Sequence, residues 1–244
     1  MTTRSRVSAV VLAGALVTGV GGCSAEQRPE RADTITAPSA AAPSTTAAVE
    51  NAAADTILTV EQAQAALLTV QDLPTGWTTD PTAAEDDETD PDDDIEPAEC
   101  AAVFEAMEEG NEPAAKADGS YTAGGFGPLL QQTVTSFEED TSDRIQTVTD
   151  ALNQCSTFTS TTADGVATTL TSSPLSFPNL GDRSLAVRLT GSSDDIEATF
   201  DVVYIAVGKN SITLLGGGLT PLPGAELEAV ARKAVERLNA AAAA

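Results

Sequence analysis

Apolar residues fall into three regimes along this chain. Between Val7 and about Val20 they are nearly continuous. Between Ser24 and Ala54 only Ile35 and Val49 are sizeable, and from about Asp55 onward they recur with regular spacing. The regular part predicts elements. Thr59 and Gln62 have the spacing of a capping box, and Val60, Ala63 and Leu67 then share one helical face before the turn Asp72-Leu73-Pro74-Thr75-Gly76-Trp77. Trp77, the only tryptophan, follows that Pro/Gly turn as a packing anchor does. A second helix is predicted after Pro97, with Cys100, Val103, Phe104 and Met107 at i, i+3, i+4 and i+7. A third is predicted behind a Thr141 or Ser142 cap, with Ile145, Val148, Leu152 and Cys155 on one side.

The second half reads as strands. Leu185, Val187 and Leu189 alternate with Ala186 and Arg188, the pattern of a half-buried antiparallel strand. Ile196 to Ala206 alternates first with Glu197, Thr199 and Asp201, then with Val203 and Ile205. That predicts a strand exposed at its start and covered on both faces at its end. Gly208-Lys209-Asn210 is hairpin chemistry, with a return strand from Ile212 to Leu215 that breaks at Gly216-Gly217-Gly218. Weaker strands are predicted over Leu129–Phe137 and Val166–Thr171. A closing helix runs from about Gly224 to Asn239, with Leu227, Val230, Ala231, Ala234, Val235 and Leu238 on one face. The fold class expected is α+β, an antiparallel β-sheet meander packed with helices mainly on one side.

The first regime is an address. Arg4 and Arg6 precede an apolar run too short to span a bilayer, and it ends in Val20-Gly21-Gly22-Cys23. The order apolar, small, small, Cys resembles the lipobox of bacterial lipoproteins. It implies a signal peptide over residues 1–22, removed once the Cys23 thiol carries a diacylglycerol, and then an acyl (palmitate-type) chain on the freed amine. Several chains anchor stably where one does not, since each buried methylene contributes about 0.8 kcal/mol. The expected location is the extracytoplasmic face of the cell membrane. Residues 23–54, rich in Ala, Thr, Ser and Pro, bury too little to fold; as a coil of about 30 residues they span roughly 30 Å and form a tether. The folded domain is expected over 55–244, enough chain for one sizeable core.

Charge narrows the partners. The formal net charge is −25, and residues 1–22 hold two of the twelve basic residues and no acid, so the exported part is more acidic still. Nucleic acid and an anionic bilayer surface are therefore poor partners, which leaves the lipid on Cys23 to make the membrane contact. The chain contains no histidine. That removes the commonest general base, the commonest metal ligand and every Ser-His or Cys-His pair. The stretch 80–99 holds eleven acids and no base, interrupted by Pro81, Pro91 and Pro97, and reads as a solvated acidic loop. Asp90, Asp92 and Asp94 alternate like calcium ligands, but Ile95 stands where such a loop needs glycine, so no metal and no cofactor is expected. With Cys23 acylated, Cys100 and Cys155 remain. Outside the membrane such an inward-facing pair reads as a disulfide, closing a loop of about 55 residues worth roughly 4 kcal/mol.

Motifs for chemistry are sparse. Gly124-Gly125-Phe126-Gly127 runs into Pro128 rather than into a helix bearing Lys-Ser/Thr, so it is a loop and no phosphate cradle. No Gly-x-Ser-x-Gly elbow and no Ser-x-x-Lys pair is present. The sequence Asp72-Leu73-Pro74-Thr75-Gly76-Trp77, then Cys100, then Leu152-Asn153-Gln154-Cys155-Ser156-Thr157-Phe158, then Phe177-Pro178-Asn179-Leu180-Gly181-Asp182-Arg183-Ser184-Leu185-Ala186-Val187-Arg188 resembles actinobacterial sensor-domain lipoproteins. These are similar to the PknH-like extracellular domain of mycobacterial receptor Ser/Thr kinases. The resemblance spans roughly residues 55–240 and implies an antiparallel sheet with helices and a cleft, and the binding of an extracellular ligand. The chain departs from the kinase ectodomain in having one cysteine pair rather than two, and it carries no kinase domain. The expected function is thus a non-enzymatic sensor-like ligand-binding domain, with a carrier of lipid or hydrophobic small molecules in the envelope as the alternative.

Overall fold

The computed structural model describes residues 53–80, 94–101, 112–125, 127–162, 165–193 and 196–244. Among these described residues nine strands form one antiparallel sheet. They are β1 (Thr78–Thr79), β2 (Asp94–Glu96), β3 (Ala115–Thr122), β4 (Leu129–Ser136), β5 (Thr157–Thr161), β6 (Ala167–Pro174), β7 (Arg183–Ser193), β8 (Ile196–Val207) and β9 (Asn210–Gly218). Their order across the sheet is β1-β3-β4-β9-β8-β7-β6-β5-β2. Strands β5 to β9 are a meander, and the β3–β4 hairpin joins it through β4 and β9. Three described helices accompany the sheet: α1 (Val60–Ala65), α2 (Ser142–Gln154) and α3 (Gly224–Ala242). The α+β reading holds with the sheet dominating, and β1, β2, β3 and β5 are strands that the periodicity did not reveal.

Register shows which side chains share a face. Leu130, Val134, Ile212, Leu214, Val203 and Ile205 lie on one face, together with Ala115, Ala117 and Tyr121 of β3, and all belong to one buried cluster with Leu227, Val230, Ala231, Ala234 and Leu238 of α3. That face is covered by α1 and α3. On the opposite face, at the other end of the sheet, Phe158, Leu170 and Ile95 meet Ala151 and Leu152 of α2 around Cys100 and Cys155. Helices therefore lie on both faces and not mainly on one side, α2 starting at the β8–β9 hairpin and crossing β8 and β7 before its C-terminal end reaches β5 and β6. The reason lies in the strands: β4 and β9 turn Leu130, Val134, Ile212 and Leu214 one way, β5 and β6 turn Phe158 and Leu170 the other, and each helix end follows the greasy side.

The capping box on Thr59 and Gln62 forms, but α1 is only six residues long and turns Ala63 and Ala66 inward, leaving Val60 47% exposed. Neither Thr141 nor Ser142 caps α2 by its side chain. Asp140 accepts from the Ser142 N–H at 2.8 Å, while the Thr141 hydroxyl donates to the carbonyls of Gly208 and Asn210. Cys100 and Cys155 form the expected disulfide, with an S–S distance of 2.07 Å and Cα atoms 5.4 Å apart. Cys100 closes a 3-10 turn over Ala98–Cys100; Val103, Phe104 and Met107 of the predicted second helix lie outside the described residues. Gly216, Gly217 and Gly218 do not break β9 but continue it, paired with Leu130 and Leu129 on one side and with Asp201, Phe200 and Thr199 on the other.

The described chain starts at the tip of the β8–β9 hairpin. The Asn210 side chain donates to the Ala53 and Thr56 carbonyls at 2.7 and 2.9 Å, the Lys209 N–H donates to Ala54 O at 3.0 Å, and the Leu58 N–H donates to Ser136 Oγ at 2.9 Å. From the other side, Asp182 accepts from the Gly208 N–H at 2.7 Å. Gly181, at φ +65°, lies so close that a Cβ there would come within 2.3 Å of the Ala206 carbonyl. Gly181 and Asp182 thus latch onto this hairpin, while the Asn179 side chain accepts from the Ser184 N–H at 3.0 Å and Leu180 joins the core.

Candidate functional site

Strand β1 is two residues long and pairs with β3 only at Thr78↔Thr122 and Thr79↔Tyr121, with one further bond from the Asp80 N–H to Ser120 O at 2.8 Å. Beyond that bond the outer edge of β3 faces two open cavities. Side chains alternate across a strand, so Thr79 lines one cavity and Thr78 the other, and Asp80 lines both. The larger, about 550 Å³, lies between the edge of β3 (Asp118 to Tyr121) and the segment Leu67 to Val70, with Arg237 of α3 at one side. The smaller, about 450 Å³, lies at the end of the sheet opposite the β8–β9 hairpin and is walled by Gly124, Gly125, Gly127 and Gly218 with Leu129 and Leu219. The glycine-rich turn of the sequence is here the β3–β4 connection, closed by a bond from the Gly127 N–H to Gly124 O.

Polar contacts hold the larger cavity in shape. Gln132, buried in β4, accepts from the Leu68 N–H at 2.7 Å, and the Tyr121 hydroxyl donates to the Leu68 carbonyl. Gly119 faces the same way as Tyr121, and a Cβ there would come within 2.7 Å of the phenol oxygen, so a larger residue would push the ring out of place. Behind this wall Asp72 Oδ2 accepts from the Thr69 N–H and hydroxyl, both at 2.8 Å, and from Arg237 Nη1 at 3.3 Å; Arg237 Nη2 donates to Ala65 O at 3.0 Å. Burial works against the Asp72 carboxylate, yet the two Thr69 bonds and then the charges of Arg237 and Lys233 outweigh it and hold the carboxyl below its ordinary range. Burial pushes the Tyr121 phenol above its ordinary value, with Arg237 opposing the rise and Asp72 adding to it. On the open side Asp118 accepts from the Thr133 hydroxyl at 2.7 Å and lies 3.5 Å from Lys116 Nζ.

A second surface lacks cover among the described elements. On the face of β5 to β8 opposite α2, cross-strand register gathers hydroxyls: Thr157↔Thr171↔Thr190↔Thr199 and Thr159↔Thr169↔Ser192. At its inner border Arg188 grips Asp201 with two bonds of 2.7 and 2.8 Å, the carboxylate 1% exposed and the guanidinium 40%. This pair seats a strand-borne charge beside Gly216 and offers no concavity.

Sequence reasoning placed no ligand residue, and the cavity residues show why. Arg237 and Asp72 are 165 positions apart, and Tyr121 sits in a strand whose inward neighbours are Ala115, Ala117 and Gly119. Trp77 is in the core, 6% exposed, its indole N–H on Glu226 at 3.1 Å. Cys23, the residues 81–93 and the alternating Asp90 and Asp92 lie outside the described residues. Among the described residues no three acidic or thiol side chains gather as a metal site would require, and no helix is long and apolar enough to cross a membrane.

No protein-family model and no curated protein matches the chain. Solved structures do. The putative uncharacterised protein (Rv0999 ortholog) from Mycobacterium smegmatis is 14% identical, with a TM-score of 0.46, and the match covers 75% of this chain and 99% of that one. The extracellular domain of PknH from Mycobacterium tuberculosis is 13% identical, with a TM-score of 0.56 over 76% of this chain and 99% of that domain. The described domain therefore has a fold that resembles the extracellular domain of PknH, as the motifs implied.

Proposed function

We propose that this chain is a cell-envelope lipoprotein, anchored through Cys23, whose folded domain binds a small extracellular ligand in the larger cavity beside β1 and does not catalyse. The observation that carries the reading is that cavity. It is about 550 Å³, within the range of small-molecule sites, and its shape is fixed by Gln132, Tyr121 and the Asp72–Arg237 pair. The likeness to an extracellular domain supports placement outside the cytoplasm, and the sequence around Cys23 supports a lipid as the means. The absence of histidine from the chain weighs against the common hydrolytic arrangements.

The test is recovery. Purified protein is incubated with aqueous and organic extracts of bacterial envelope, re-isolated, and its bound small molecules are read by mass spectrometry. A stoichiometric, water-soluble compound retained by the wild type and lost in Thr79→Trp, which fills the cavity, is the expected result. Repeated turnover of envelope glycans or esters, abolished by one Asp or Glu substitution, would overturn the binding reading; a retained lipid would favour the carrier. The anchor is tested separately: Cys23→Ser is expected to leave no processed, detergent-extracted species in the membrane fraction.

A further inference from the structure

The larger cavity runs along a strand edge whose hydrogen bonds are half used, and this bears on what enters it, given the reading above that it is the binding site. The Ala123 N–H bond to Pro128 O and the Asp80 N–H bond to Ser120 O set the alternation in β3. Odd-numbered residues turn their backbone groups to β4, and even-numbered ones turn theirs outward. Of the four outward residues, Thr122 and Ser120 meet β1 and its continuation at Asp80. Lys116 and Asp118 come next, and among the described residues nothing pairs with their N–H and C=O groups. Their side chains, 55% and 46% exposed and 3.5 Å apart, lie on the sheet face away from the cavity. Ala117 and Gly119 face the other way, with Tyr121, toward the wall made by Leu67, Leu68 and Val70.

We infer that the ligand is an extended peptide that adds to β3 as an antiparallel strand in line with β1, its N–H and C=O groups pairing with those of Asp118 and Lys116. Directly opposite residues of an antiparallel pair share a face. The peptide residue opposite Gly119 therefore turns into the cavity against Leu67, Leu68 and Val70, and an apolar side chain fits there. Those opposite Asp118 and Lys116 lie on the outer face, where a basic and an acidic residue match. In the direction of the peptide the pattern is apolar, basic, apolar, acidic. Charge on an edge strand discourages indiscriminate pairing, and two signs in a fixed order select a partner by its order of charges. The Lys116–Asp118 pair is exposed and weak, so it yields to such a partner. A second copy of β3, pairing about Ala117, also sets Lys116 opposite Asp118, but a formal charge of −25 on each chain opposes that contact.

Three acetylated and amidated pentapeptides test this. One is Val-Lys-Val-Glu-Thr; the second, Val-Glu-Val-Lys-Thr, has the same composition but sets like charges opposite each other; the third is the first with its Lys and Glu nitrogens methylated, so that they cannot donate to β3. Each is titrated into the purified protein at pH 7 while the resonances and exchange of the Lys116 and Asp118 amides are followed. The first peptide is expected to slow exchange at both amides. It should bind at least about tenfold tighter than its methylated form and about threefold tighter than the isomer. Lys116→Asp combined with Asp118→Lys is expected to reverse the preference between the isomers, and unchanged shifts in β8 and β9 check that this variant folds. Equal binding of the methylated peptide, or a preference that ignores the exchange of charges, overturns strand addition while the cavity remains a site. Lys116 and Asp118 amides already protected in the free domain overturn it too, since the edge is then closed, and protection that grows with protein concentration alone assigns the edge to a second copy. Absence of any shift at Thr79, Ser120 and Tyr121, with all three peptides and with the envelope extract, overturns the class and the site together.

Discussion

Where α1 and α3 lie on β3, β4, β9 and β8, buried apolar side chains from six elements meet in one continuous cluster. At β5, β6 and β2 the fully buried residues of the other cluster are Cys100, Cys155 and Phe158. The first end can be held by apolar area alone. The second cannot: its strands carry Thr and Ser at most positions, and β2 adds only three residue pairs. A covalent bridge replaces hydrophobic area where the core is thin, and it does so by restricting the unfolded chain more than by adding contacts. The consequence is a molecule whose two ends are expected to fail by different routes.

The sharpest way to break that comparison is to remove the bridge. Cys100→Ser with Cys155→Ser is expected to cost about 4 kcal/mol, and hydrogen exchange should rise first in β5 and β6 while β4, β8 and β9 stay protected. Uniform loss of protection across the sheet would show that the ends are one cooperative unit and would end the contrast.

A smaller effect is expected at the border between the two regions. Arg188→Ala leaves the Asp201 carboxylate, 1% exposed, without its two bonds. Loss of a partner from a buried ion pair costs 3–5 kcal/mol when both groups are buried, and Arg188 is half exposed, so about 2 kcal/mol is expected by urea denaturation. A cost under about half a kcal/mol would mean that water or another group already serves Asp201.

The smallest effect belongs to the wall of the larger cavity. The Asp72 carboxyl is held below its ordinary range when folded, so it adds stability above the unfolded pKa of about 3.9 and that contribution is lost as pH falls through the lower folded value. Asp72→Asn should cost about 0.5–1 kcal/mol at pH 7, and the gap from the wild type should close below about pH 4. A gap that persists at pH 2 would assign the loss to the geometry of the turn and not to charge.

The parts of this fold that could be read from sequence are those in which bulk alternates or repeats. Strands β7, β8 and β9 and helix α3 announce themselves because Val, Ile, Leu and Phe mark the inward side. Strand β3 does not, since α1 packs so near that its inward residues are Ala115, Ala117 and Gly119, and the pattern shows only to an eye that already knows the face. Strand β5 has a single large apolar residue, Phe158, among threonines. The disulfide was legible from two cysteines on predicted apolar faces. The cavity was not, because it results from β1 stopping after two residues and from Arg237 reaching across to Asp72, and neither a missing strand nor a contact over 165 positions leaves a local mark.

One feature of the start of the domain matters under load. Any tension arriving along the chain ahead of Ala53 is taken up by the Asn210 side chain, the Lys209 N–H and, through the Ala53 N–H, by Asn239 near the end of α3. Those residues belong to the hairpin of the two central strands and to the helix packed on them, not to the sheet's edges. A pull therefore has to tear loose a clasp on the central hairpin before it can peel anything. The weakly paired margins, β1 with its two partners and β2 with its three, are left out of the line of force. Resistance of this kind is set by how fast the clasp opens rather than by overall stability, so a variant such as Asn210→Ala would be the one that lets the domain come apart when tugged.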